Sequence, residues 1–360
     1  MAKVSFNNSK AVFFADLKQS VDQYFAQASI RKTGNFRLYL KTIVLIPSAL
    51  LIYILLLTVS MPAWLSIALC ALLGVVFASI GFNVMHDANH GSYSSRKWVN
   101  NVLGYTINAL GGNAFIWKFK HNIIHHTYTN VDGVDDDIAR SPLMRQCQTQ
   151  LWKPAHKYQH IYVIFLYAIS SLAWAAYLDF DKYFKKKVNN TPMQKMSVTD
   201  HIVFWVSKLL YAFFYIALPI WVLGFTPWLI GYLVMEIVLG FVLAIVFQLA
   251  HVVEETAFEY AGPNEPLLIE NEWAVHQIKT TSNFAPRNKI ISWFAGGLNY
   301  QVEHHLFPRI SHIHYPAISK IVKAKCAEHN LPYHSIETMH AAIASHFRMM
   351  KAMGRPPQMA

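Results

Sequence analysis

The sequence predicts an all-α integral-membrane fold, with four transmembrane helices in two hairpins and a helical cap on the cytoplasmic side. Three observations lead there. The chain of 360 residues is 54% hydrophobic and only 14% charged, too apolar for an ordinary soluble domain. Four apolar stretches have the length, about 20 residues, that a helix needs to cross roughly 30 Å of hydrocarbon. The net charge of +11 crowds beside those stretches, in residues 3–41, 182–195 and 309–355, where it suits the anionic headgroups of a membrane surface.

Residues 1–41 are polar and mixed, without the short apolar core and small-residue cleavage site of a secretory signal, and read as a cytoplasmic N-terminal segment. Residues 42–60 and 63–84 are two apolar spans joined tightly through Pro62, so 42–84 forms the first hairpin. Residues 85–201 follow on the cytoplasmic side. Within them, residues 100–115 are only moderately apolar and contain Gly104, Gly111 and Gly112, which suits an interfacial segment better than a span. Residues 160–178 are long enough to cross, but Asp179, Asp181 and the run Lys185, Lys186, Lys187 follow at once. If the histidine clusters on either side of this stretch share one site, the chain crosses the membrane an even number of times between them. The positive-inside rule also keeps the N-terminal segment and the lysine run on one side. Residues 160–178 are therefore read as interfacial or re-entrant. Residues 202–223 and 228–250, joined through Gly224 and Pro227, form the second hairpin. Residues 251–360 are amphipathic and basic and read as cap helices over the site. The whole is a single domain without internal repeats.

Several functions are set aside by the same residues. Cys70, Cys147 and Cys326 are far apart and form no CxxC, so neither a disulfide framework nor an iron–sulfur site is indicated. No aromatic–basic module or zinc-finger spacing is present, which argues against nucleic acid as a partner.

Eighteen histidines carry the chemistry, through their placement. His86 and His90 lie in HDANH at the cytoplasmic end of the second span. HNIIHH holds His121, His125 and His126, and QVEHH holds Gln301, His304 and His305. On an α-helix, positions four apart share a face, so His86 with His90 and His121 with His125 can each aim two imidazoles at one point. The neighbours His126 and His305 point about 100° away, toward a second metal. Two such doublets argue for a di-metal site in the cap. A single histidine in such a place is more often an ordinary hydrogen-bonding residue than a ligand. Three clusters on one side of the membrane reverse that expectation. A histidine-rich metal transporter is the alternative from another class, although transport histidines are expected within spans, and these sit at or beyond span ends.

These clusters resemble the histidine boxes of the membrane fatty acid desaturases, which take the forms HxxxH, HxxHH or HxxxHH, and HxxHH or QxxHH. The resemblance extends to HHTYTNVDGVDDD after the second box and LNYQVEHHLFP around the third, and it covers most of residues 40–310. It implies a non-haem di-iron centre that uses O2 and two electrons from an external donor to remove hydrogens from adjacent acyl carbons. Imidazole suits iron, and a pocket between spans can hold the alkyl chain. The box histidines His86, His90, His121, His125, His126, His304 and His305 are then iron ligands. His251, at the end of the fourth span, stands where such desaturases often carry an eighth. His276 is a candidate ninth, with a hydrogen-bonding or substrate-facing role as the alternative. Gln301 replaces a histidine found in many relatives, and coordinates weakly, coordinates through water or only orients its neighbours. Asp87, Asp135, Asp136 and Asp137 either hold imidazole N–H groups from behind or are solvated loop carboxylates.

The Gln-first third box is similar to that of front-end desaturases, linoleoyl-CoA Δ6 enzymes among them, many of which carry a fused cytochrome b5 domain. No HPGG haem motif appears here, so a separate ferredoxin or cytochrome b5 partner is expected to supply electrons. The acyl chain is carried on coenzyme A or on a lipid. A lipid or sphingolipid hydroxylase of the same superfamily is the alternative reaction. Glu236, near the middle of the fourth span, is costly in lipid if charged and is expected to face the bundle interior, toward Lys208 or a polar point in the acyl tunnel. His312, His314, His329, His334, His340 and His346 match no box and read as surface residues.

Overall fold

The computed structural model describes residues 4–9, 11–139, 142–262 and 265–357. Helix α1 spans Phe13–Gln27. Four helices are long and apolar enough to cross a membrane: α2 (Phe36–Thr58), α3 (Ala63–His90), and further on Val198–Leu223 and Phe225–His251. Between them come α4 (Lys97–Gly104), α5 (Thr106–Ala109) and α6 (Ala114–Lys118), then α7 (Pro154–Ala168) and α8 (Ser170–Lys185). The later spans are α9 (Val198–Leu223) and α10 (Phe225–His251). Helices α11 (Trp273–Thr280), α12 (Lys289–Phe294), α13 (Gln301–Leu306), α14 (Tyr315–Glu328) and α15 (Met339–Met353) complete the described chain, with only two-stranded β pairings among the described residues.

Local chemistry sets the helix starts. Asn35 caps α2 by accepting from the Arg37 N–H at 2.9 Å, and Ser197 with Asp200 forms a reciprocal capping box on α9, each satisfying backbone donors a helix start leaves open. In the apolar windows of the four long helices only 17–44% of residues are buried, so apolar side chains face outward, as a hydrocarbon solvent requires. Where α3 meets α10 the backbones approach closely: a Cβ on Gly74 would stand 2.5 Å from the Met235 carbonyl oxygen. Such small-residue contacts replace the hydrophobic drive that lipid removes.

The four spans fall where hydropathy places them, with one extension. Helix α3 runs on to His90, past the predicted span end at residue 84, so the first histidine box is its last turn, helical as its spacing predicts. The fifth apolar stretch is a broken helix: α7 and α8 meet at 60°. The break is built against α10. A Cβ on Gly240 would lie 2.7 Å from the Ala168 carbonyl, and Ser170 and Ser171 turn their hydroxyls onto the carbonyls of Gly240 and Glu236 at 3.1 and 2.7 Å. Residues 100–115 form short helices rather than a span.

The N-terminal segment is more than a polar lead. Phe13, Leu17, Val21 and Phe25 of α1 are all buried, packed with Ala274 and Ile278 of α11, Val302 and Leu306 of α13, and Ile318 and Val322 of α14. Each such side chain contributes about 1.5–3 kcal/mol by burial. This cluster thus joins α1 to helices about 250 to 300 residues further along the chain.

Candidate metal centre

Four segments bring the box histidines together: the last turn of α3, the segment after α6, the end of α10, and α13. One group comprises His86, His90, His121 and His304; a second comprises His125, His251 and His305; and His126 groups with His304 and His305, so that it stands between the two. Within each group the ligand nitrogens lie within 4.8 Å of one another. His86 lies 4.5 Å from His304 by ring centroids and His126 lies 4.4 Å from His305, while His251 is 4.7 Å from His125 and 4.8 Å from His305. All eight rings are at most 9% exposed.

The second box does not follow α-helical spacing. Phe119–His125 is a π-helix, whose hydrogen bonds run from i to i+5. The His126 N–H accordingly donates to the His121 carbonyl at 3.0 Å, and the Nε2 atoms of those two rings are 3.3 Å apart. His121 thereby joins the first-box pair, while His125 faces His251 and His305. A link to the expected pairing survives, since His121, His125 and Asp137 also form a compact group.

In several of these rings one nitrogen is held by the protein and the other is left inward. His125 Nδ1 donates to Asp135 at 3.0 Å, His305 Nδ1 to Gln277 Oε1 at 2.8 Å, and His251 Nδ1 faces the Thr280 carbonyl at 3.4 Å. His304 Nδ1 lies 3.1 Å from the Tyr315 hydroxyl. The Nε2 atoms of His90, His251, His304 and His305, and Nδ1 of His126, are buried without a hydrogen-bond partner. An unpartnered buried polar atom costs about 1–3 kcal/mol, and the four such Nε2 atoms, two in each group, fit a metal site. Burial, reinforced by neighbouring imidazoles, holds His126, His304 and His305 well below the usual histidine range, in the neutral form a metal needs. Burial also pulls on His125, but the Asp135 carboxylate outweighs it and raises that ring.

The other expected residues divide. Asp135 backs His125, and Asp137 lies 3.3 Å from the same nitrogen while pairing with Lys120 at 2.5 Å. Asp136 pairs with Lys182 at 3.0 Å and lies 3.6 Å from Lys120. Asp87 accepts from Ser311 at 2.7 Å and faces His312 at 3.1 Å, so it supports an imidazole outside the boxes. Gln301 is fully buried with its amide nitrogen unpartnered. His276 stands outside every group: α11 points its Nε2 at the Thr129 carbonyl, 2.8 Å away, which is the hydrogen-bonding alternative. Glu236 does face the interior, 1% exposed, but its partner is the Tyr211 hydroxyl at 2.7 Å. Lys208 instead reaches Asp179 at 3.2 Å and the Gly111 carbonyl at 2.5 Å.

Three histidines expected at the surface are core residues. His312 is 3% exposed and accepts from the buried Lys41 ammonium at 3.0 Å. His314 is 7% exposed. His346 is fully buried, donating to the Val252 carbonyl at 2.7 Å and accepting from Tyr167 at 2.8 Å. Each is satisfied by a backbone or side-chain partner that sequence spacing does not reveal. Also missed were Gln277 and Thr129, which hold His305; their only signal is their place beside His276 and His126.

Beside His121, His125 and His251 opens a cavity of about 300 Å³, walled mostly by apolar groups including Trp117, Tyr167, Trp174, Leu243 and Phe247. Much of its wall is the broken α7–α8 pair. A helical membrane protein with adjoining nests of buried imidazoles beside an apolar cavity falls in the class of histidine-centred membrane oxidoreductases. The fatty acid desaturase family model matches residues 62–337, and the chain belongs to that family. It is 34% identical over 359 residues to the sn-1 linoleoyl-lipid 6-desaturase of Arthrospira platensis, covering 99% of this chain and 96% of that one. It is 37% identical to the protein of the same name from Synechocystis, covering 94% of each. With the acyl-lipid (8-3)-desaturase of Physcomitrium patens it shares 34% identity over 95% of this chain and 72% of that one. The chain is thus an oxidoreductase that introduces double bonds into fatty acyl chains.

Proposed function

We propose that the chain is a front-end acyl-lipid desaturase holding two irons in the two histidine nests. His86, His90, His121 and His304 would hold one iron and His125, His251 and His305 the other, with His126 between them completing the second. The observation that carries this is the set of buried ring nitrogens without hydrogen-bond partners on His90 and His304 of one nest and on His251 and His305 of the other. Gln301 stays a neighbour that orients α13. Bound iron would supply the reduction of O2 and the removal of two hydrogens from adjacent methylenes, consuming two electrons and two protons and yielding two waters. The chain's own residues do the rest. Asp135, Gln277 and Thr280 fix ring orientation and tautomer, the apolar cavity positions the acyl chain, and Trp117 and Phe247 keep water from the reacting carbons.

The front-end and lipid-linked assignment follows the similarity to the linoleoyl-lipid 6-desaturases and the QVEHH box. Cells expressing the chain and fed linoleate should accumulate a lipid-bound product two hydrogens lighter, its new double bond on the carboxyl side of the existing ones. An oxygenated product would favour a hydroxylase instead. A bond added toward the methyl end would remove the front-end assignment.

In the same reading α2–α3 and α9–α10 are two hairpins within a single domain, the broken α7–α8 pair does not cross, and the site and both termini are cytoplasmic. Electrons arrive from a separate ferredoxin or cytochrome b5. With Cys70, Cys147 and Cys326 replaced, single cysteines placed at positions 185–195 should resist an impermeant thiol reagent in intact cells. Labelling there would mean that α7–α8 spans the membrane and the histidines cannot share one face.

A further inference from the structure

Helix α10 ends at His251, and the carbonyls that a helix end leaves open are met there by donors from other segments. The Ala250 carbonyl accepts from the Ser282 N–H at 2.8 Å, and the His251 carbonyl accepts from the Asn130 amide and the Thr256 hydroxyl, both at 2.8 Å. The Val252 carbonyl accepts from His346 Nδ1 at 2.7 Å. This third donor does more than cap. A hydroxyl or an amide would satisfy a carbonyl as well, but the opposite edge of the His346 ring accepts from the Tyr167 hydroxyl at 2.8 Å. Burial holds His346 down at about 4, so the ring is neutral; a carbonyl can only accept, so the one proton is on Nδ1 and Nε2 is the acceptor. Tyr167 and Val252 both line the site cavity beside His251. Helix α15, which carries His346, is itself anchored at both places. Ser345 accepts from the Glu254 N–H at 3.1 Å and Arg348 pairs with the Glu254 carboxylate at 2.7 Å, while Gln159 of α7 donates to the Met350 carbonyl at 2.7 Å.

We propose that His346 is a positioning residue for desaturation: its Nδ1–H fixes the turn that presents His251, and its Nε2 fixes the Tyr167 wall of the cavity, so that ligand and wall keep one spacing. The inference rests on the desaturase reading above. His251 depends on its backbone more than its neighbours do. The contact behind its ring, to the Thr280 carbonyl, is 3.4 Å, against 3.0 Å behind His125 and 2.8 Å behind His305. The placing of the turn therefore decides where the ring aims. Tyr167 stands just before the break between α7 and α8, where its carbonyl abuts Gly240 so closely that a Cβ there would lie 2.9 Å away. Its hydroxyl ties that wall to α15. A flat, rigid ring with a donor on one edge and an acceptor on the other spans the two without slack, and each end can be removed separately.

The full-length wild type, His346→Asn, His346→Gln and Tyr167→Phe are expressed in the same cells. Two quantities are read: iron retained per purified chain against graded chelator, and the linoleate supply at which desaturated product is half-maximal. An asparagine amide can take the place of Nδ1 and a glutamine carbonyl that of Nε2, so each variant keeps one end. His346→Asn frees Tyr167 and should raise the half-saturating linoleate about two- to tenfold, the worth of one hydrogen bond, with iron held as in the wild type. His346→Gln frees the Val252 carbonyl and should hold iron about tenfold or more less tightly, the usual effect of losing support behind a ligand. Tyr167→Phe removes one oxygen and should match His346→Asn, which keeps the test standing even where the His346 variants do not fold. Equal effects of His346→Asn and His346→Gln on both readouts would overturn the role, as would iron loss or an unchanged half-saturation in Tyr167→Phe. A wild type that makes no desaturated product would instead defeat the functional reading, and iron retention in His346→Gln would still decide the Val252 end.

Discussion

Alanine in place of any one of His86, His90, His121, His125, His126, His304 or His305 should abolish desaturation and lower the iron content of the purified protein. Loss of a group that merely supports a metal ligand typically costs about 10–100-fold, and removing a ligand from a closed nest should exceed that and fall below detection. No neighbour can substitute. The ligand nitrogens of each group already stand within 4.8 Å of one another, and the nearby polar groups behind them, Asp135, Gln277 and Thr280, are already engaged with nitrogens of His125, His305 and His251. The check is product yield beside iron per chain. Full activity and full iron after loss of two box histidines would remove the di-iron assignment altogether.

The second large effect separates His251 from His276. His251→Ala should cost more than about 100-fold and about one iron per chain, because its ring closes the nest that His125 and His305 begin, with its inward nitrogen unpartnered. His276→Ala removes a hydrogen bond to the Thr129 carbonyl, worth about 0.5–1.5 kcal/mol, and should leave iron content unchanged with at most a tenfold fall in activity through looser support of His305. Equal iron loss in both variants would reassign His276 as a ligand.

Much of the architecture is legible in the sequence because membrane insertion and metal binding both leave local signals. Continuous apolar length locates α2, α3, α9 and α10, and the clustering of His86, His90, His121, His125, His126, His304 and His305 marks the segments that meet. What escaped is whatever depends on helix phase or on contacts between distant segments. No residue pattern announces the π-helical turn at Phe119–His125, so the approach of His121 to His126, beside its expected grouping with His125, is not legible in the sequence. His312 and His346 are polar residues in a basic, amphipathic tail, and only packing against Lys41 and Tyr167 shows them buried. Glu236 is expected inside, toward Lys208 or a polar point in the acyl tunnel, and it is Tyr211 rather than Lys208 that meets it. The fourfold spacing of Phe13, Leu17, Val21 and Phe25 did signal an amphipathic helix, but its polar surroundings masked it.

That helix bears on how the protein is made. The apolar face of α1 is covered by α13 and α14, and α14 ends about 300 residues after α1 in the chain. At synthesis rates of about 5–20 residues per second, roughly 15–60 s separate the emergence of α1 from the arrival of the partners that cover it. Four apolar helices enter the bilayer in that interval. The apolar face of α1 therefore stays without its folded partners until α13 and α14 have been made.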